Sequence, residues 1–86
     1  MASAVRGIPY NQQKEQYMLI ERHGSQQTLV VFTLNGDRGK IVSATPLVMA
    51  LSLEYVHRNE VGKIPAYDSD QLGDFFAATA SASAGS

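Results

Sequence analysis

Two runs of strand-forming residues dominate the hydrophobic pattern: Tyr17-Met18-Leu19-Ile20-Glu21-Arg22 and Thr28-Leu29-Val30-Val31-Phe32-Thr33-Leu34. Thr, Val, Ile, Tyr and Phe suit a pleated surface. The intervening His23-Gly24-Ser25-Gln26-Gln27 has the composition and length of a hairpin loop. In the second run Leu29, Val31 and Thr33 alternate with Val30, Phe32 and Leu34, so both faces are largely apolar. That pattern predicts a central strand covered on both sides, or one whose second face a partner buries. Asn35-Gly36-Asp37-Arg38-Gly39 then supplies a turn, because glycine reaches positive φ without steric cost. Lys40-Ile41-Val42-Ser43-Ala44 reads as a third strand returning beside the second.

Beyond residue 44 the period changes. Thr45-Pro46 has the form of a helix start, with Thr as cap and Pro where no amide partner is needed. Leu47, Val48, Leu51 and Tyr55 make a helical stripe, widened by Met49, Leu53 and Val56. The same residues also alternate as a strand would, Leu47, Met49, Leu51, Leu53 and Tyr55 against Val48, Ala50, Ser52, Glu54 and Val56. The Thr-Pro start and the good helix formers favour a helix over 46–58, with Glu54 and Arg58 at pairing distance and His57 in the last turn. Residues 61–67, containing Gly62 and Pro65, read as a connector or at most an edge strand. Asp68 and Gln71 have capping-box spacing, and Leu72, Phe75, Phe76 and Thr79 mark one buried face of a second helix over 69–79.

The expected fold is therefore α+β: a three-stranded antiparallel sheet (17–22, 28–34, 40–44) in β-β-β-α-α order, with two helices packed on it. Residues 16–79 form the single domain. Residues 1–15 form a mobile N-terminal arm that Ile8 and Tyr10 can pin to the core, and 80–86 an Ala/Ser tail with nothing to bury.

Composition narrows the function classes. The chain has 86 residues, one domain's worth, and a working core of roughly 60–65 residues is close to the lower limit for folding alone. It contains no cysteine, so disulfides and thiolate metal sites are excluded. Self-association is the remaining common remedy, and a homodimer is expected. Net charge is -1, without the basic surplus that gripping a polyanion usually requires. No apolar run reaches the ~18–20 residues of a membrane span. The first six residues lack the pattern of a secretory signal, and cytoplasmic residence is the default expectation.

Candidate chemistry is sparse. A nucleophile would need His23 or His57 as its base, and neither has a triad-like spacing to a serine and a third group. Asp68-Ser69-Asp70 followed by Gly73 and Asp74 departs from a calcium loop at Leu72 and at Thr79. Gly36-Asp37-Arg38-Gly39-Lys40 departs from a phosphate loop, with Leu34 in place of the first glycine and Ile41 after the lysine. The residues predict no enzyme, cofactor or metal centre. What remains is apolar excess, with Leu47, Met49, Leu53, Tyr55, Phe75 and Phe76 as the expected interface of a protein-binding regulator or adaptor. One alternative is a nucleic-acid-binding module using a small basic edge at the hairpin tips, built from Arg22, His23, Arg38 and Lys40, with Glu21 and Asp37 interleaved; the other, least favoured, is a small enzyme with a pocket containing His23 or His57.

Overall fold

The computed structural model describes residues 5–76. The tail expected at 80–86, and residues 77–79 of the expected second helix, lie outside the described residues. The sheet has five strands: β1 (Ile8–Asn11), β2 (Gln16–His23), β3 (Gln26–Asn35), β4 (Arg38–Pro46) and β5 (Ala66–Asp68). The first four run antiparallel in the order β1-β2-β3-β4, and β5 lies parallel to β2. The three-stranded expectation is thus corrected by two short strands that share one edge of β2. β1 pairs Ile8 with Met18, and β5 pairs Ile20 with Ala66. Strands of three or four residues are too short to show a period. Each also carries or follows a proline, and proline is tolerated at a sheet edge. Pro9 lies in β1, and the carbonyl of Pro65 accepts the Ile20 N–H at 2.9 Å just ahead of β5. β1 lies within the stretch read as an arm, and its Ile8 packs against the core.

Both hairpins are tighter than expected. His23 pairs with Gln26 and Asn35 with Arg38, which leaves only Gly24-Ser25 and Gly36-Asp37 at the tips. Gly24 and Gly36 stand first in these pairs with φ of 62° and 68°. That is the position at which a two-residue type II′ turn calls for glycine.

β2 and β3 are buried on both faces, within the chain itself. Met18, Ile20, Leu29 and Val31 face one cluster with Leu47, Ala50, Val56 and Ile64. Leu19, Val30 and Phe32 face the other, with Leu72, Phe75 and Phe76. The strict alternation in β2 and β3 is therefore read on both sides of the sheet.

The helices are shorter than the pattern suggests. Helix α1 covers Leu47–Ser52 and α2 covers Ser69–Leu72. Thr45 does not cap α1: it belongs to β4, opposite Leu29, and Pro46 occupies the cap position. The expected helix over 46–58 stops early in a Schellman-type closure. The Glu54 N–H bonds to Leu51 O at 3.2 Å and the Tyr55 N–H to Ala50 O at 2.9 Å, with Glu54 left-handed at φ 60°. Glu54 and Arg58 consequently share no helix, and His57 instead precedes a 3-10 segment, Arg58–Lys63. At α2 the capping box forms as its spacing predicts, the Asp68 N–H donating to Gln71 Oε1 at 2.8 Å. The backbone then turns through 73–76, and the Phe76 N–H reaches Leu72 O at 3.0 Å.

The left-handed Glu54 yields a prediction. A side chain at that conformation costs about 1 kcal/mol that glycine avoids. Glu54→Gly is expected to stabilise the domain by about 0.5–1 kcal/mol, read as a higher midpoint in urea unfolding. A lowered midpoint would show that Glu54 does not close α1 in this way.

Candidate functional site

The six residues expected at a protein interface divide into two groups. Leu47, Phe75 and Phe76 are buried and belong to the core. The two phenylalanines reach it because α2 ends after one turn and the chain folds back, setting their rings edge-on to Phe32 with centroids 5.5 and 5.8 Å away. Met49, Leu53 and Tyr55 are each about half exposed. Helix geometry accounts for the split. Leu47 and Ala50 point into the sheet, with Leu51 partly buried beside them, so Val48 faces outward on one flank of α1 and Met49 and Leu53 on the other.

Val48 is the residue the stripe misassigns. It belongs to the predicted helical stripe but not to the six expected interface residues, yet it is 81% exposed. It stands with Leu51 between two open grooves of about 460 and 470 Å³. One runs toward Gln26, Gln27 and Pro46, the other toward Glu54, His57 and Arg58. Val48 on one flank, Met49 and Leu53 on the other and Tyr55 beyond the helix end are the exposed apolar side chains around α1, together its apolar shoulder. The missed signal is the shortness of the helix: a six-residue helix that buries Leu47 and Ala50 must turn Val48 away from the sheet.

The four basic-edge residues do not come together. Arg22 and His23 lie at the β2–β3 turn, whereas Arg38 and Lys40 lie at the β3–β4 turn. Successive hairpins reverse at opposite ends of their shared strand, and the ten residues of β3 separate these tips by about 30 Å. Arg22 is further occupied by Asp68, Nε to Oδ1 at 3.4 Å.

A different pairing does form at that end. His23 Nδ1 and Ser69 Oγ lie 3.0 Å apart. A catalytic pair of this kind needs a third group to orient the imidazole. Among the described residues no carboxylate bonds to His23, and the adjacent Asp68 is turned to Arg22. The contact instead ties the end of β2 to the start of α2. His57 is exposed beside Arg58. No group of three His, Asp or Glu among the described residues is placed to hold a metal ion. No described helix is long and apolar enough to cross a membrane.

Comparison with known proteins yields no matching family model, no similar curated protein and no solved structure of matching fold.

Proposed function

We propose that this chain is a small protein-binding regulator or adaptor that docks through the apolar shoulder of Val48, Met49, Leu53 and Tyr55. The observation that carries this reading is the exposure of Val48 on a helix whose opposite side is fully committed to the core. Both faces of β2 and β3 are covered within the chain, and the shoulder is one of the apolar surfaces left exposed, with Leu34, Ile41 and Val42 exposed elsewhere. Exposed apolar side chains grouped in this way favour a protein partner over solvent. Methionine and tyrosine are also among the residues enriched at the centres of such contacts. The four shoulder side chains carry no charge, and Glu54, His57 and Arg58 rim the groove beside Val48, so the partner is recognised mainly by shape and apolar area.

A photoreactive side chain introduced at Met49, with a control at Lys14 in the first 3-10 segment, identifies the partner by crosslinking in the native host. The double variant Val48→Asp/Met49→Asp should then weaken binding of the purified partner by about 2 kcal/mol or more, leaving the far-UV circular dichroism unchanged. Wild-type affinity should change little between low and high salt. Undiminished binding by the folded double variant, or a steep loss of affinity with salt, would refute the shoulder as the docking site.

A further inference from the structure

The turn between β3 and β4 presents a reactive pair of residues in the open. Asn35 and Gly36 are both exposed, and nothing lies within 4 Å of the position a Gly36 Cβ would take. An asparagine side-chain carbonyl is open to attack by the amide nitrogen of the next residue. A side chain on that residue obstructs the approach, and glycine leaves it clear. In a two-residue turn the ladder ends at Asn35 and Arg38, so the Gly36 N–H has no strand partner. Among the described residues no hydrogen bond engages that N–H or the Asn35 side chain. The chain's other asparagines are held differently. Asn11 Oδ1 accepts the Lys14 N–H at 3.2 Å, and Gln12 follows it. Asn59 precedes Glu60, whose N–H is given to His57 O at 2.9 Å.

We propose that Asn35 is a site of spontaneous deamidation, a modification that needs no second protein. The Gly36 nitrogen loses its proton and bonds to Asn35 Cγ. The bond from Cγ to the side-chain nitrogen breaks, and ammonia leaves with the proton. One water then opens the five-membered imide, so ammonia is exchanged for water and nothing is oxidised or reduced. Opening at Cγ gives an aspartyl residue. Opening at the main-chain carbonyl gives an isoaspartyl residue, with one extra carbon in the main chain. The attack requires rotation about the Asn35 Cα–C bond, which opens the last pair of the ladder. Openings of that size at an exposed tip are the cheapest a fold makes. The Gly39 N–H to Phe75 O bond anchors β4 just beyond, so the opening stops there.

The two products act differently on the fold. The aspartyl form sets a carboxylate opposite Arg38, an opposite-charge pair across the ladder that holds the turn closed. The isoaspartyl form lengthens the β3 side of the turn, so position 35 no longer stands opposite Arg38 in the present register. Gly39 follows Arg38 directly and lies against the Phe75 and Phe76 rings with no room for a Cβ. The displacement therefore reaches the Gly39–Phe75 bond and the aromatic cluster behind it. Chemistry at the tip is thereby coupled to one face of the core.

Ageing the whole chain at mildly alkaline pH, followed by peptide mapping and isoaspartyl-specific methyl labelling, tests the site. Product should appear at position 35, faster as pH rises, with Asn11 and Asn59 intact. Gly36→Ala should suppress it. Because that variant puts a side chain at φ 68°, Asn35→Gln serves as a second block, staying unmodified with circular dichroism unchanged. The isoaspartyl form, separated by ion exchange, should exchange its Gly39 amide about tenfold faster than the unmodified protein. Asn35→Asp should keep the unmodified protection there. No product in the folded chain, while a Val31–Lys40 peptide forms it, would overturn the site. Equal product at Asn59 would do the same. Unchanged Gly39 exchange in the isoaspartyl form would overturn the coupling to the aromatic cluster.

Discussion

Phe32→Ala is expected to remove about 3–5 kcal/mol of stability, the range for truncating a fully buried aromatic side chain. Phe32 is 1% exposed and is the largest side chain buried that completely. Its ring is met by Phe75 and Phe76 edge-on and by Tyr17 at 6.1 Å. Gly7 also crosses its tip so closely that a Cβ there would stand 2.6 Å from Cζ. Three separate segments therefore converge on one ring. A domain of this size holds only about 5–10 kcal/mol in total, so the loss should leave the chain largely unfolded near physiological temperature. Urea titration followed by circular dichroism measures it. A shift below about 1 kcal/mol would mean that the second face of the sheet does not depend on Phe32.

The central hairpins were legible because β2, β3 and most of β4 are long enough to display alternation, and glycine marks both reversals. β1 escaped notice, and β5 was read only as a connector or at most an edge strand, for the opposite reason. Their contribution is main-chain pairing along β2, which leaves no trace in side-chain order over three or four residues. Helix α1 was overextended because Leu53, Tyr55 and Val56 continue an apolar run after the helix has closed. The closing residue is Glu54, whose left-handed conformation carries none of the usual glycine signal.

The site was legible only in part. Apolar excess marked residues 47–55 as a candidate surface, and Met49, Leu53 and Tyr55 are exposed there. It could not separate them from Leu47, Phe75 and Phe76, because burial of those three depends on where each helix stops. The basic-edge grouping had a simpler fault. Two turns flanking one strand lie at its two ends, so Arg22 and Arg38 could not have shared a tip once β3 was read as a strand.

Gly39→Ala is expected to cost about 1–3 kcal/mol, through overpacking and not through backbone conformation. Gly39 has no positive φ, unlike Gly24 and Gly36. Its requirement is space: an added Cβ would lie 2.4 Å from Phe75 Cε2 and 2.7 Å from Phe76 Cε1. Those rings cannot retreat, because they pack against each other at 4.8 Å and against Phe32 behind them. Displacing them would also strain the Gly39 N–H to Phe75 O bond that fastens this turn to β4. Gly24→Ala provides the contrast, since nothing lies within 4 Å of its Cβ position and only the φ of 62° opposes it. A double-mutant cycle separates the two causes. If crowding by Phe75 is responsible, Gly39→Ala should cost about 1 kcal/mol less in a Phe75→Leu background than in the wild type. Gly24→Ala should cost the same in both. Equal costs for Gly39→Ala in the two backgrounds would show that Phe75 does not pack over this glycine.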